Sequence, residues 1–308
     1  MLLLFAFVPQ FGAEGVWVSV FTAISAFCNA GFDLFGRFGA YSSLVPYVNN
    51  YYVQAVIMFM IMAGGLGFMV WVELAEYRKK RRLSLHAKVV LQFSVIFWVG
   101  GAVLLALLEW SNPRTMGGLS VPGKIMAALF QSVSTRTAGM NTIDLAACSP
   151  ISKLLMSVLQ FIGAAPGSTG GGVKVTTFAV LILTIRSVAQ GRDDCVIGGH
   201  HIESKTVYRA LTIIVIGAVA AFGSAVVVYY NTAETVSVID CIFESCSAFG
   251  TVGLSVGVTG QLNTGAKLLY MACMFMGRVG PVSLAISLTA KPDDNKRKVL
   301  PVGHINVG

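Results

Sequence analysis

Charged residues are scarce in this chain of 308 residues, since Asp, Glu, Lys and Arg make up 12% of it and hydrophobic residues make up 55%. A soluble domain carries about 25% charged residues. The chain therefore lacks the polar side chains that would cover a water-exposed surface. Four apolar runs, at 53–72, 89–108, 210–230 and 266–288, each reach the roughly 20 residues that a helix needs to cross a bilayer. We therefore predict an all-α polytopic membrane protein.

Histidine and paired cysteine are also scarce, and this excludes most catalytic sites. The histidines at 86, 200, 201 and 304 lie in or beside loops, and no apolar run holds an aspartate pair. A hydrolase within the membrane needs a nucleophile with a base, or two aspartates, inside its spans. We therefore expect no enzyme. Cys195 with His200 and His201 is the one candidate metal site, but a lone Cys beside a His pair is more typical of an ordinary charged loop.

The net charge of +8 is unevenly distributed along the chain. Basic residues cluster directly after apolar runs, in RKKRR at 78–82, in Arg186 with Arg192, and in KPDDNKRK at 291–298. Basic clusters in alternate loops indicate the cytoplasmic side of a membrane. We therefore predict a multi-pass protein of the cell membrane with a cytoplasmic C-terminus and with 109–124 and 231–236 outside. This distribution favours contact with membrane lipid and disfavours nucleic acid as a partner.

Three short stretches interrupt the apolar runs and align on one glycine each, Gly31, Gly139 and Gly253. They recur at intervals of about 110 residues, which indicates a repeat array. In the second and third units an apolar span is followed by a shorter amphipathic segment, at 123–135 and at 237–249, and then by the glycine stretch and a second span. This order predicts a half-helix that re-enters the membrane before an irregular loop, as in a pore-loop channel.

The repeats divide the chain into three units, at 1–82, 83–206 and 207–308. We interpret residues 1–8, MLLLFAFV, as the tail of a first span. On this interpretation the first unit is truncated, and a further unit of the same kind is absent about 108 residues earlier.

The glycine stretches suit the coordination of a dehydrated cation by backbone carbonyl groups, as in potassium filters. Glycine accepts the backbone conformations that aim successive carbonyls at one axis. Thr137 and Thr251 can add side-chain oxygens. Each stretch alone could be an ordinary glycine turn between helices, but three in register after half-helices favour a filter.

The motifs SAFCNAGFDLFG, STRTAGMNTID, SAFGTVGLSVG and GRVGP resemble the membrane subunit of the Ktr/Trk-type potassium transporters, and NAGFDL is closest to the Ktr branch. That family arranges four channel-like units around a pseudo-fourfold axis, so the resemblance implies that the first unit is missing here. It also implies filter residues at Asn29, Ala30, Gly31, Phe32, Thr137, Ala138, Gly139, Met140, Thr251, Val252, Gly253 and Leu254.

The resemblance further implies K+ as the transported ion, Na+ as a candidate coupling ion, and no covalently bound cofactor. It implies a homodimer docked on a cytoplasmic ring of nucleotide-binding regulatory subunits of the RCK type. The basic loops 76–88 and 190–206 and the tail 291–308 are the surfaces that such a ring would contact.

The second span of the middle unit, 151–189, is about twice as long as a bilayer crossing requires. Its centre, GAAPGSTGGGVK at 163–174, disfavours helix, so we predict a helix broken by a glycine-rich loop. A phosphate-binding loop is excluded because Val173 separates the last glycine from Lys174. The resemblance implies an intramembrane gate, and a passive kink is the alternative. The gate residues are Gly163, Gly167, Ser168, Thr169, Gly170, Gly171, Gly172 and Lys174.

Four charged residues lie at positions where they could act on an ion. Arg278 lies deep in an apolar run, where a charge normally faces the bundle interior or a water-filled cavity. The resemblance implies that it forms an electrostatic barrier under the filter. Glu244 lies two helical turns before Thr251, either behind the filter, accepting hydrogen bonds from filter amides, or at a helix end facing water. Asp33 and Asp144 either concentrate cations at the outer mouth or are plain loop acids.

The prediction from these observations is potassium transport through a carbonyl filter, gated by the glycine-rich loop and regulated by the cytoplasmic partner. The alternative is a non-conducting partial subunit or a scaffold within a membrane complex.

Overall fold

The computed structural model describes residues 1–39, 42–192, 195–232 and 235–280. Within these ranges the α-helices are α1 (Leu4–Phe11), α2 (Glu14–Phe27), α3 (Tyr51–Gly65), α4 (Phe68–Lys80), α5 (Leu85–Glu109), α6 (Val121–Ser134), α7 (Pro150–Phe161), α8 (Val175–Ala189), α9 (Ser204–Asn231), α10 (Val238–Gly250) and α11 (Thr264–Val279). A short antiparallel hairpin joins β1 (Val196–Ile197) to β2 (His200–His201). The all-α prediction is confirmed. The predicted tail 291–308 and the end of the last span lie outside the described residues.

Two continuous helices of the described chain, α5 and α9, are long and apolar enough to cross a membrane. Their most apolar windows have mean hydropathies of 2.2 and 2.6, yet only 28% of each window is buried inside the protein. Most of these apolar side chains therefore point outward, which a helix in water would not tolerate but a helix in lipid requires. The prediction of a membrane protein agrees with this surface.

The apolar run 53–72 forms two helices joined by a sharp bend, which together are long and apolar enough to count as one broken span. Helices α3 and α4 meet at an angle of 99°. The bend lies at Gly67, which has a φ of 84°. The carbonyl groups of Gly64 and Gly65 accept hydrogen bonds at 3.2 Å and 3.0 Å from the amides of Thr169 and Ala165. A second chain segment thus inserts where the helix would otherwise continue, which is a recognised cause of a sharp kink.

The long span of the middle unit is broken, as the sequence predicts. Helix α7 ends at Phe161 and α8 begins at Val175. The connection between them, residues 162–174, is called the gate loop below, after the gate predicted from the sequence at 163–174. Its two ends are joined by hydrogen bonds from the Gly163 amide to the Val173 carbonyl, at 2.8 Å, and from the Val173 amide to the Phe161 carbonyl, at 3.1 Å. The loop therefore leaves the helix and returns at nearly the same place.

Three half-helices, α2, α6 and α10, contain 14, 14 and 13 residues and are too short to cross a bilayer. Helix α6 begins where the Ser120 hydroxyl accepts a hydrogen bond from the Gly123 amide at 3.3 Å. Helix α10 begins in the same way at Ser237, which accepts from the Ile239 amide at 3.3 Å. A serine at this position satisfies an amide that the helix leaves unpaired, which fixes where each half-helix starts.

Two of the half-helices, α6 and α10, pack against several neighbouring helices of the bundle. Helix α6 packs against α3 and α5, and α10 packs against α7, α9 and α11. Near the C-terminal ends they bury polar side chains as well as apolar ones, with Gln131, Ser132 and Ser134 on α6 and Ser245 and Ser247 on α10 all at most 3% exposed. A membrane protein that buries polar side chains at its centre provides there a site for a polar ligand.

Candidate functional site

The three glycine stretches, which follow α2, α6 and α10, meet at one point. A methyl group placed on Gly31 would lie 3.0 Å from the carbonyl oxygen of Val252 and 3.2 Å from that of Ala138. A methyl group on Gly139 would lie 3.0 Å from the Cα atom of Gly31 and would collide with the Val252 carbonyl oxygen. Carbonyl oxygens from two of the stretches therefore point into the space that the glycines leave empty.

The three stretches share one backbone conformation. Their first residues, Asn29, Thr137 and Thr251, have φ values of 49°, 82° and 52°. The glycines two positions later have φ values of 74°, 77° and 95°. Left-handed conformations are costly for residues with a Cβ atom and are accepted by glycine. Along each stretch, left-handed residues alternate with residues of negative φ. This alternation changes the direction of successive peptide groups, so that backbone carbonyls can be aimed at a common axis.

One serine per unit, Ser25, Ser134 and Ser247, holds this conformation in place. Their hydroxyl groups donate to the carbonyl oxygens of Phe32, Met140 and Leu254, the fourth residue of each stretch. The first and third of these bonds are both 2.6 Å long. The backbone carbonyls of the same serines accept from the amides of the second residues, Ala30, Ala138 and Val252. Sequence reasoning missed these serines, although each of the three motifs that it aligned begins with one.

Side-chain oxygens at the first position of each stretch have no hydrogen-bond partner within the described residues. They are Oδ1 of Asn29, Oγ1 of Thr137 and Oγ1 of Thr251, and all three atoms are buried. Buried polar atoms are nearly always paired, so three orphans at equivalent positions require an explanation. The C-termini of the three half-helices, which carry partial negative charge, also end at these stretches. Unpaired oxygens and helix C-termini together suit a bound cation.

The gate loop lies directly against these first positions. The Asn29 amide group donates to Thr169 Oγ1 at 2.9 Å. Methyl groups on the next two residues of the loop, Gly170 and Gly171, would collide with Oγ1 of Thr137 and of Thr251 respectively. Three consecutive loop residues thus contact the three units in turn. The loop closes off the side of the site on which the unpaired oxygens lie.

Two cationic side chains bind the gate loop. The Lys174 ammonium group donates to the Gly170 carbonyl at 2.5 Å, and the Arg278 guanidinium donates to the Thr169 carbonyl. The Gly277 carbonyl, beside Arg278 at the end of α11, accepts from the Gly172 amide at 3.1 Å. The loop is therefore fastened both to its own helix and to the last helix of the third unit.

Glu244 lies behind the last stretch, but its partners differ from the prediction. Its carboxylate accepts from the hydroxyl of Ser255 at 2.5 Å and from the amides of Val256 and Val258, both at 3.1 Å. These residues follow the stretch, so Glu244 braces the chain beyond it. The expected bonds from the filter amides are not made, because the amides of Val252 and Gly253 bond to Ser247 instead.

Other charged residues have structural partners. Asp33 and Asp144 accept from backbone amides two residues further on, at 2.9 Å and 3.0 Å, and so cap local turns. Asp240 of α10 pairs at 2.7 Å with Lys153 of α7 and joins the middle and last units. Sequence reasoning also missed Arg136, which lies within the middle motif at 4% exposure.

The suggested metal constellation of Cys195, His200 and His201 is not assembled. The Cys195 thiol accepts a hydrogen bond from Thr184 at 3.1 Å, and in the described ranges no group of three His, Cys, Asp or Glu residues could hold a metal ion.

Comparison with known proteins places this arrangement in a family. Residues 4–298 match the family described as TrkH, cation transport protein. The chain is 36% identical over 288 residues to the potassium/sodium uptake protein NtpJ of Enterococcus hirae, a match that covers 92% of this chain and 62% of the relative. It is 34% identical over 302 residues to the Ktr system potassium uptake protein B of Bacillus subtilis, with coverage of 98% and 66%.

The crystal structure of the potassium transporter TrkH from Vibrio parahaemolyticus has the same fold, with a TM-score of 0.73 at 20% identity over 93% of this chain and 62% of that chain. The chain thus spans about two thirds of the length of the relatives it matches. The matched family is described as a cation transport protein and not as an enzyme, in agreement with the prediction from the sequence. With the family match over most of its residues, the chain belongs to the TrkH family of cation transport proteins.

Proposed function

We propose that this chain supplies three of the pore loops of a potassium-conducting pore. The observation that carries the proposal is the convergence of three left-handed glycine stretches on one point, with an unpaired buried oxygen at the start of each. Rings of such oxygens replace the hydration shell of K+. The printed names of the relatives, which include potassium uptake proteins and one potassium/sodium uptake protein, support K+ as the cargo and leave Na+ as a candidate coupling ion.

The twelve residues from Asn29 to Phe32, from Thr137 to Met140 and from Thr251 to Leu254 form the filter on this proposal. Asp33 and Asp144 remain candidates for concentrating cations at its outer mouth. A groove of about 620 Å³ is lined by residues of the first and last stretches and by none of the middle stretch. A fourth pore loop, on the same chain or on another, would fill that groove and close the ring.

The gate loop obstructs the pore below the filter on this proposal, because it touches all three first positions. Lys174 and Arg278 hold it there and add positive charge on the path of a cation, which opposes permeation while the loop is in place. A passive kink is the competing interpretation, but a kink does not require the loop to contact each unit in turn.

The gate is tested by deleting residues 167–172 from the chain in its complete native assembly. The expected result is a higher rate of K+ uptake in the absence of any regulatory partner, measured as 86Rb+ influx in cells that lack their own K+ uptake systems. Uptake that is unchanged or reduced, at equal amounts of protein in the membrane, would contradict the gate. Absence of Rb+ influx with the undeleted chain in its complete assembly would contradict the pore and favour the non-conducting scaffold.

The partners are part of the same proposal. A homodimer in the cell membrane would dock on a ring of cytoplasmic nucleotide-binding subunits of the RCK type, through the basic segments 76–88 and 190–206. The described parts of both segments follow or precede long apolar helices and are largely exposed. Co-purification from membranes, with and without charge reversal at Lys79 and Arg82, tests this docking. Retention of the ring by the reversed variant would contradict it.

A further inference from the structure

Arg136 is a buried arginine that neither the filter nor the gate described above uses. It lies between the half-helix α6 and Thr137 and is 4% exposed. Its Nη2 atom donates to the carbonyl oxygen of Gly163 at 2.9 Å, and its Nη1 atom lies 3.5 Å from the carbonyl oxygen of Ser94. The guanidinium also lies 5.3 Å from the ring centre of Phe97.

The charge of this arginine is held without a carboxylate. Among the described residues, the contacts of its guanidinium are backbone carbonyls and the faces of Phe97 and Trp98, and its Nε atom has no partner. A buried charge costs several kcal/mol unless good geometry and hydrogen bonds compensate for it. Carbonyl acceptors and aromatic faces offset part of that cost. Such a side chain is therefore sensitive to any movement of the groups that hold it.

Gly163, whose carbonyl oxygen Arg136 binds, lies at the start of the gate loop. Its amide donates to the Val173 carbonyl at 2.8 Å, and this bond joins the two ends of the loop. Its carbonyl accepts from Arg136 on the opposite side. One residue, Gly163, therefore connects the base of the loop with the residue that directly precedes the middle filter stretch.

We propose that Arg136 is a positioning residue that locks the base of the gate loop to the middle filter stretch. The loop moves away from the filter only when the bond between Arg136 and Gly163 breaks. This inference rests on the proposed function, because it takes residues 163–174 as the gate. Lys174 and Arg278 hold the tip of the loop, whereas Arg136 holds the point at which the loop leaves α7.

The test follows the loop by cysteine labelling, which does not depend on transport. Cys28 is the one exposed cysteine, so a Cys28→Ala background carrying Ser168→Cys reports on the loop alone. In the native assembly, Arg136→Gln should raise the rate at which a thiosulfonate reagent modifies that cysteine by about tenfold, the shift expected from losing one hydrogen bond to a charged group. Arg136→Lys keeps the charge but loses the planar fork, so its increase should be smaller.

Lys124→Gln is the matched control. Lys124 lies on α6, donates to the Trp110 carbonyl at 2.7 Å and lies 5.0 Å from the Trp110 ring centre, but it is only half-buried and these contacts are outside the gate loop. The control should label at the unmodified rate. If Arg136→Gln and Arg136→Lys label at that rate too, while each elutes as a single species with an unchanged thermal midpoint, Arg136 only fills space and the proposal is overturned.

The transport assay gives a second readout that a purely structural residue would not move. Arg136→Gln should raise the maximal Rb+ influx without the regulatory partner and leave the half-saturating concentration unchanged. A changed half-saturating concentration with unchanged maximal influx would assign Arg136 to the filter and overturn the gate role. If Arg136→Gln labels faster but no variant, the unmodified chain included, shows influx, the bond between Arg136 and Gly163 still holds the loop. The proposed pore is then rejected.

Discussion

The middle glycine stretch and the two outer ones have the same backbone conformation in different surroundings. Thr137, Ala138 and Met140 of the middle stretch are fully buried. In the first stretch Phe32 is 68% exposed and faces the groove that it shares with the last stretch. The left-handed residues and the serine bonds recur in all three stretches, although the stretches differ in burial. The backbone conformation therefore depends on the local sequence and not on burial.

Burial instead determines how much change each stretch tolerates. The middle stretch is in contact with both of the others, whereas each outer stretch has one side on the groove. The same substitution should therefore have graded effects across the three units, and the following predictions make use of that grading.

The largest effect is expected from replacing the filter glycines by alanine. Each replacement places a Cβ atom in a left-handed conformation, at a cost of about 1–2 kcal/mol. Gly139→Ala adds a collision with the Val252 carbonyl, Gly31→Ala a contact at 3.0 Å, and Gly253→Ala only ordinary contacts at 3.9 Å. We expect Rb+ influx to be abolished by the first, strongly reduced by the second and reduced about tenfold by the third.

The control for this series is Gly100→Ala, because a methyl group at that position on α5 would meet nothing within 4 Å. It should leave influx unchanged. Equal losses at Gly31, Gly139 and Gly253 would show that the collisions play no part.

The next effect concerns the fourth residue of each stretch. Met140 is fully buried, so Met140→Ala should lower the free energy of unfolding by about 2–5 kcal/mol. If a fourth pore loop fills the groove in the native assembly, Phe32→Ala should lower the free energy of unfolding there by about 3–5 kcal/mol. Thermal unfolding in detergent measures both changes. If Met140→Ala lowers the free energy of unfolding and Phe32→Ala does not, the groove stays open in the native assembly, as the scaffold alternative requires.

A smaller effect is expected from the serines that hold the stretches. Ser134→Ala removes a bond to the Met140 carbonyl in a fully buried setting and should cost about 1–3 kcal/mol, the penalty of an unsatisfied buried acceptor. Ser25→Ala, where the bond to Phe32 is only partly buried, should cost less. The two thermal midpoints, measured side by side, decide this order. A lower midpoint for Ser25→Ala than for Ser134→Ala would contradict it.

The smallest change in stability is expected from removing the unpaired hydroxyl groups. Thr137→Val and Thr251→Val break no hydrogen bond within the protein, so the thermal midpoint should hold while the half-saturating Rb+ concentration rises. Thr22→Val removes an equally buried and unpaired hydroxyl from the half-helix α2 and is the control. A similar rise for Thr22→Val would show that the threonine hydroxyls do not act on the ion.

Much of this architecture could be predicted because short stretches of sequence determine it. The half-helices at 123–135 and 237–249 and the break at 163–174 were found from run length, glycine content and repeat alignment, and the helix bounds agree to within a few residues. The filter positions were likewise found by alignment on one glycine, and they do meet in space. Their role as ion ligands stays a prediction.

What could not be predicted depends on contacts between distant segments. The bend between α3 and α4 exists because amides of the gate loop, about 100 residues later, bond to Gly64 and Gly65. The hydropathy of the run 53–72 does not indicate that a distant segment bonds to it. Arg136 was missed for the same reason, since its partner Gly163 lies in another element. The serines were different, because their repetition was visible in the aligned motifs.

We propose that the three stretches together bind a dehydrated K+ ion. The position of Tl+ in an anomalous difference map tests this binding directly. Tl+ resembles K+ in size and scatters X-rays anomalously. In crystals of the native assembly grown with Tl+ in place of K+, we expect an anomalous peak between the carbonyl oxygens of Ala138 and Val252 and the side-chain oxygens of Thr137 and Thr251. A map in which Tl+ occupies only positions outside the three stretches would contradict the claim.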